Sequence, residues 1–144
     1  MDFTLLSLDT PLDLINEAMR NSLVGNLGIV ITSIGEGIVE GNLALSAKNC
    51  RPGGMLHGGA NLSMAETLAG LGSMLLVNLK ETEVLGTQVS GSHTGILSEG
   101  KAMATAKIIH RGNKTHIWNV DVRNKSGKLI STIRVTNMIV KRND

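Results

Sequence analysis

Residues 57–79 read HGGANLSMAETLAGLGSMLLVNL, and this stretch decides the fold. From Gly58 to Leu79 it is rich in Ala, Leu, Met and Gly, and it is apolar on almost every side of a helical projection. A helix of that kind is enclosed by the rest of its protein. Glu66, Asn78 and several glycines make the stretch unsuited to crossing a bilayer. It therefore predicts one long buried helix and no membrane span.

Runs rich in β-branched residues lie on both sides of this helix. Two of them, 29–34 and 38–45, precede it and are separated by Gly35-Glu36-Gly37, which predicts a hairpin. In the last two strands, apolar and polar residues alternate as in a sheet with one covered face. The strands predicted after the helix span residues 84–90, 101–110, 115–124 and 128–140, with a hairpin loop at 124–127.

A shorter helix is predicted near the amino terminus. Thr10 can cap it, Pro11 suits its first position, and Asp13 lies at the positive end of its dipole. Apolar residues then recur at helical spacing as far as about Asn21. A short helix, two strands, a long helix and four strands together predict an α+β fold in which an antiparallel sheet wraps around the long helix.

The composition bounds the class of protein. With 144 residues, 42% of them apolar, the chain fits a single domain over 1–144. It has one Phe, one Trp, no Tyr and a net charge of +2, so neither aromatic stacking nor a basic surface indicates a nucleic-acid partner. Cys50 is the only cysteine, and the amino terminus lacks the basic region of a secretory signal. We therefore expect a cytoplasmic protein without a disulfide or a metal site.

Glu66 is the first candidate for catalysis. Its neighbours along the helix are apolar, and an ionised carboxylate in apolar surroundings is costly unless another group compensates its charge. Buried acids of this kind are often site residues. The alternative is a glutamate on the exposed side of the helix, which an apolar helix also needs. From this residue alone both interpretations stay open.

His57, Gly58 and Gly59 stand where the long helix begins. The N–H groups of a first helical turn lack partners and carry partial positive charge, so they can bind a developing oxyanion. The alternative is a plain loop-to-helix turn. His57 and Glu66 are nine residues apart, about 13 Å along one helix, which is too far for both to contact one carbon atom. If both act together, two copies of the helix must pack antiparallel, so that Glu66 of one copy meets Gly58 of the other.

The element H-G-G, followed after a short interval by A-E-T, resembles the hot-dog thioesterases of the phenylacetate-degradation type. The resemblance runs from about residue 41 to residue 140 and is closest to the branch that hydrolyses aryl-CoA esters, such as 1,4-dihydroxy-2-naphthoyl-CoA and 4-hydroxybenzoyl-CoA. It includes Gly86-Thr87, Ser92-His93, the S-E-G turn at 98–100 and the basic turn at 110–114. It implies a hot-dog fold, an acyl-CoA substrate, no cofactor besides the CoA of that substrate, and a homodimer that pairs into a tetramer.

The resemblance also implies roles for single residues. Glu66 would be the nucleophile or general base, the Gly58 amide would polarise the thioester carbonyl, and His57 would help to hold the thioester and the leaving thiolate. Ser92 and His93 match acyl-pocket positions, whereas the residues near 98 and 111–114 match positions near pantetheine and the CoA phosphates. The expected substrate contacts are Gly59, Thr67, Ser92, His93, Ser98, Arg111, Gly112 and Lys114. For Arg111 and Lys114, a solvated hairpin turn is the alternative.

The chain departs from the family pattern at several of these places. Arg51 stands where many relatives have glutamine, and Gly70 stands where they often have serine or threonine. Thr94 replaces a second histidine, and Gly95-Ile96 replaces an arginine-proline pair. These differences leave the acyl group open.

Three functions therefore remain in play, and an aryl-CoA thioesterase is the one we favour. A thioesterase for aliphatic acyl groups is the second, because few rings are available to stack on an aryl group. A non-catalytic acyl-CoA-binding protein is the third, although Glu66 argues against it. A serine hydrolase is not indicated, since the G-x-S-x-G element is missing. A hot-dog dehydratase would need an Asp/His dyad that the sequence lacks.

Overall fold

The computed structural model describes residues 1–142, in which six antiparallel strands form one sheet and a long helix packs across it. The strand order is β1-β2-β4-β5-β6-β3. This is the α+β hot-dog arrangement that the sequence predicts. The elements are α1 Leu12–Met19, α2 Leu23–Leu27, β1 Ile29–Gly35, β2 Ile38–Ala44, α3 Gly58–Met74, β3 Thr82–His93, β4 Lys101–Arg111, β5 Thr115–Arg123 and β6 Leu129–Lys141.

The core lies between α3 and the concave face of the sheet. α3 contacts all six strands, which confirms that the sheet wraps around this helix. Met64 and Leu68 are fully buried on its inner side. The fully buried indole of Trp118 lies against Gly72, and its Nε1 donates to Ser73 Oγ at 2.9 Å. Among residues 1–142, no helix combines the length and the apolar character needed to span a bilayer.

α3 ends at Met74, five residues before the predicted end at Leu79. Asn78 explains the difference, because its carbonyl accepts from the amides of Glu81 and Thr82 and its side chain accepts from the Lys80 amide. These bonds form a turn that leads into β3, whereas the apolar character of the stretch continues to Leu79, which is buried. The apolar residues after Met74 are therefore explained by burial and not by helix formation.

The start of α1 differs from the prediction. The helix begins at Leu12, Pro11 occupies the cap position instead of the first turn, and no side chain caps the helix. Thr10 Oγ1 instead accepts from the Ser7 amide at 2.9 Å. The predicted Thr10 cap is therefore wrong, because that hydroxyl closes the preceding turn.

α2 is a short helix that the sequence analysis missed. Ser22 caps it by accepting from the Val24 amide, and Gly28 ends it with a φ of 79°. A serine cap and a terminal glycine are a recognisable pair of signals. The five residues between them are too few to show helical periodicity.

β3 is longer than predicted and lies at one edge of the sheet. It runs from Thr82 to His93, pairs with β6, and has a bulge between Gly86 and Gln88. Its outer edge has no strand partner among residues 1–142. The predicted hairpins at 35–37 and 124–127 are both confirmed by the pairing of their strands.

Candidate active site

The amino terminus of α3 presents one free amide. His57 has an extended conformation, and its Nδ1 accepts from the Gly59 amide at 2.8 Å. The Ala60 amide donates to the His57 carbonyl at 2.9 Å. Among residues 1–142 the Gly58 amide has no acceptor. Gly58, and not Gly59, therefore offers the N–H that can bind an oxyanion at this helix end.

The loop before α3 is held by Asn49, which the sequence does not mark as a site residue. The Asn49 side chain is buried and donates to the carbonyls of Leu27 and Ala44, both at 2.9 Å. Its carbonyl accepts from the His57 amide at 2.9 Å. Asn49 thus ties the first residue of the site to α2 and to the end of β2. A single polar residue in a loop gives no sequence signal for such a role.

His93 lies directly over Gly58. A Cβ atom on residue 58 would stand 2.6 Å from His93 Nε2, so any residue larger than glycine would have to displace the imidazole. The other ring nitrogen of His93 is 2.7 Å from Ser131 Oγ, which also accepts from Asn61 Nδ2 at 3.0 Å. Ser131 and Asn61 are buried and hold the imidazole beside the free amide. The sequence predicts His93 as a site residue but gives no sign of its two supports.

A cleft of ≈190 Å³ opens at this place. Arg51 and Ile96 line one part of it, and Gly58, Asn61 and His93 line another. Asn61 Oδ1 is buried and has no hydrogen-bond partner among residues 1–142. The cleft therefore joins the free helix amide to further polar atoms on an otherwise apolar wall.

Glu66 lies on the outer side of α3 and is exposed. Its Oε1 stands beside β3, 2.8 Å from the position that a Cβ on Gly86 would occupy. Of the two interpretations that the sequence left open, the protomer therefore has the glutamate on the exposed side of the helix. The physical reason is that Ala65, Leu68 and Ala69 turn toward the sheet and leave Glu66 on the uncovered side of the helix.

Three of the predicted substrate contacts offer no free polar group beside Glu66. The Gly59 amide is used by the His57 cap. Thr67 Oγ1 donates to the Ser63 carbonyl at 2.7 Å within α3. Ser92 pairs with Thr132, and because successive residues of a strand alternate, it lies on the opposite face of β3 from His93.

The residues expected near CoA fall at opposite ends of α3. Ser98 lines an open cleft of ≈470 Å³ together with Lys101 and Lys125. Arg111 bonds to Glu36 at 3.0 Å and to the Leu76 carbonyl at 3.4 Å, just beyond the carboxyl end of α3. Gly112 and Lys114 belong to the adjacent β4–β5 turn. Since α3 has 17 residues and is about 25 Å long, one protomer does not bring these groups together.

A row of polar residues crosses the concave face of the sheet beneath α3. Gly86 of β3 pairs with Asn137 of β6, Asn137 with His116 of β5, and His116 with Arg111 of β4. Asn137 and His116 are buried. Burial lowers the pKa of His116 below its ordinary 6.5, and the nearby charges of Arg111 and His110 lower it further. The described residues contain no group of three or more His, Cys, Asp or Glu that could hold a metal ion.

Comparison with known proteins gives a consistent picture. A protein-family model described as the thioesterase superfamily matches residues 53–131 of the chain. A thioesterase from Haemophilus influenzae has 30% identity and a TM-score of 0.87, with 92% of each chain covered. A mutant thioesterase from Pseudomonas aeruginosa, carrying a glutamine-to-alanine change, has 28% identity and a TM-score of 0.89 over 93% of this chain and 96% of that one. A Staphylococcus aureus protein with a glutamate-to-alanine change has 32% identity and a TM-score of 0.82 over 84% of this chain and 100% of that one.

Proposed function

Because the chain belongs to the thioesterase superfamily and is a thioester hydrolase, we propose that its substrates are acyl-CoA esters and that Glu66 is the catalytic carboxylate. One observation carries this proposal. The same helix has a free amide at Gly58, where an oxyanion can bind, and an exposed carboxylate at Glu66, two turns further along. Both groups are needed for acyl transfer, and both lie on surfaces that the protomer leaves uncovered.

The proposed active site is shared between two subunits. Gly58 and Glu66 are eight residues apart, about 12 Å along α3, so they cannot act on one carbonyl within a single chain. The uncovered side of α3 adjoins the free edge of β3, and the unpaired N–H and C=O groups of an exposed strand edge are a template for pairing with another chain. A two-fold axis at this edge would extend the sheet, pack two α3 helices antiparallel, and bring Glu66 of one subunit to Gly58 of the partner.

The hydrolysis that we propose for this dimer uses no metal ion. The Gly58 amide and the positive end of α3 polarise the thioester carbonyl, and one such donor is worth roughly 3–4 kcal/mol in other hydrolases. Ionised Glu66 removes a proton from water while the hydroxide adds to the carbonyl carbon; in the alternative route it attacks that carbon itself, and water hydrolyses the resulting mixed anhydride after the thiolate has left. The tetrahedral oxyanion then collapses, the C–S bond breaks, and the thiolate leaves as CoA. His57 and His93 flank the carbonyl at the helix end.

An antiparallel dimer also supports the CoA-binding role of the remaining residues. Arg111 and Lys114 lie near the carboxyl end of α3, which the two-fold axis would place toward the amino end of the partner helix. Lys114 would then bind the CoA phosphates, together with Arg111 once it exchanges its exposed ion pair with Glu36 for them. Ser98 and the turn that contains it would border the pantetheine arm. We propose that two such dimers associate into a tetramer, as the family resemblance implies.

The acyl group is proposed to be aromatic, by resemblance to the aryl-CoA branch. One observation favours the aliphatic alternative. Trp118, the only tryptophan in the chain, is fully buried behind Gly72, so its ring is not available to stack on an acyl group at the uncovered side of α3. An aryl group would have to stack on His93 or on apolar side chains instead.

A thiol-release assay tests both proposals. Wild-type protein is offered benzoyl, hydroxybenzoyl, phenylacetyl, dihydroxynaphthoyl and straight-chain CoA esters, beside Glu66→Gln, Glu66→Ala and the surface control Glu17→Gln. We expect aryl esters to be preferred, and both Glu66 variants to lose activity while keeping the wild-type mass in solution. Full activity in a folded Glu66→Ala protein would remove Glu66 from the mechanism. A preference for straight chains would establish the aliphatic alternative.

A further inference from the structure

Behind Glu66 lies a buried oxygen atom without a donor. Asn137 is 1% exposed, and its Oδ1 has no hydrogen-bond partner among residues 1–142. Its orientation is fixed, because Nδ2 donates to the Ala69 carbonyl at 3.1 Å and to Ser73 Oγ at 2.9 Å. A carbonyl can only accept, so the amide cannot be turned around. Leaving such an oxygen unpaired is costly, and a donor is therefore expected.

The same oxygen borders the space occupied by the Glu66 carboxylate. The point where a Cβ of Gly86 would lie is 2.8 Å from Glu66 Oε1 and 3.7 Å from Asn137 Oδ1. No side chain fills this point, because residue 86 is glycine. A β-bulge between Gly86 and Gln88 adjoins this point and locally disrupts the pairing of β3 with β6. Asn137 Oδ1 can only accept hydrogen bonds, and the same holds for Glu66 Oε1 while the carboxylate is ionised. Both oxygens therefore border one small gap and need a donor there.

We propose that Asn137 is a positioning residue for Glu66, and that its side-chain oxygen holds a water molecule against the carboxylate in the gap that Gly86 leaves open. A water molecule has two hydrogens and can donate one to each oxygen. The Nδ1 of His116, the cross-strand neighbour of Asn137, is likewise buried and without a partner among residues 1–142. Buried waters typically make about three hydrogen bonds.

The inference rests on the hydrolysis proposed above, and in that reaction it gives Asn137 control over the position of the Glu66 carboxylate. A long glutamate side chain on an exposed helix face has several rotamers, and only some of them point toward the partner subunit. A water anchored by Asn137 restrains the carboxylate at β3 while its other oxygen stays free for the reacting water or the thioester carbon. Asn137 would then affect the chemical step without touching the substrate.

The test is a double-mutant cycle between Asn137 and Glu66. A hydrogen bond to a charged group is lost in Asn137→Ala, so kcat should fall about tenfold while KM changes less than about twofold. Glu66→Asp keeps a carboxylate but withdraws it from the gap. In that background, the further loss from Asn137→Ala should be less than about twofold, because the contact is already broken.

Two other variants separate positioning from folding. Gly86→Ala places a methyl group in the gap, and it should lower kcat in the same direction, since the only close atoms are at the flexible end of Glu66. Ser73→Ala removes one partner of the Asn137 amide but leaves Oδ1 in place. It should lower the melting temperature and leave kcat within about twofold of wild type.

The outcomes distinguish this inference from the proposed function. Equal losses from Asn137→Ala in both backgrounds, or a wild-type kcat in Gly86→Ala, would show that Asn137 is purely structural. If wild-type protein hydrolyses no thioester, the proposed function fails. The cycle is then measured on free energies of unfolding, where coupling between Asn137 and Glu66 supports the water-bridged contact and its absence overturns it.

Discussion

Two glycines of α3 offer a matched test of how the sheet wraps the helix. Gly70 and Gly72 are two residues apart, yet they face opposite environments. A Cβ on Gly70 meets nothing within 4 Å, whereas a Cβ on Gly72 would lie 2.4 Å from Trp118 Cη2 and 2.7 Å from Cζ2. The same substitution, glycine to alanine, should therefore have opposite effects at the two positions.

The magnitudes follow from these contacts. Alanine in a helix interior is favoured over glycine by up to about 1 kcal/mol, and Gly70→Ala should gain most of it. At Gly72 the added carbon is more than 1 Å inside the normal contact distance of about 3.5–4 Å. Trp118 cannot move aside freely, because it is fully buried and bonded to Ser73 at 2.9 Å. Overpacking of this kind costs about 1–3 kcal/mol or more, so Gly72→Ala should lose about 2 kcal/mol net.

Thermal unfolding followed by circular dichroism measures both variants at one protein concentration, because association shifts the melting temperature. For a chain of this size, 1 kcal/mol corresponds to roughly 2–4 °C. We expect Gly72→Ala to melt roughly 4–8 °C below wild type and Gly70→Ala to melt slightly above it. A Gly72→Ala protein at least as stable as wild type would refute the proposed packing of Trp118 on α3.

Three further outcomes are expected. Gly58→Ala should displace His93 and lower kcat by about 100-fold with little change in KM, as measured by thiol release; unchanged kcat would exclude the Gly58 site. Asn49→Ala removes the hydrogen bonds to the Leu27 and Ala44 carbonyls and should cost about 1–3 kcal/mol in denaturant unfolding, whereas a loss within error would mean that the loop does not depend on Asn49. Since the folded-state pKa of His116 lies below 6.5, its stabilising contribution is complete above pH 6.5 and declines as the pH falls below that value. Calorimetry should show that His116→Gln loses less stability than wild type between pH 7 and 5; parallel curves would contradict this.

The sequence predicted the order of the main elements because each has its own periodicity. The continuous apolar character of residues 58–79 indicated a helix enclosed by a sheet, and the alternation in the last strands indicated which side of them faces the core. The misplaced element ends have local causes. The Thr10 hydroxyl closes a turn before α1, and Asn78 forms a turn after α3. Hydropathy does not change at either place, so it does not mark these element ends.

For the candidate site, the sequence by itself determined the helix that carries it, the glycine at its start and the one acid along it. These features depend on spacing along a single helix, which a sequence records directly. Only the tertiary structure decided that Glu66 is exposed in the protomer, that His93 lies over Gly58, and that Asn49, Asn61 and Ser131 hold the residues at the start of α3. Those contacts join residues far apart in the chain, and they are set by strand register and by which face of α3 meets the sheet, neither of which local residue pattern specifies.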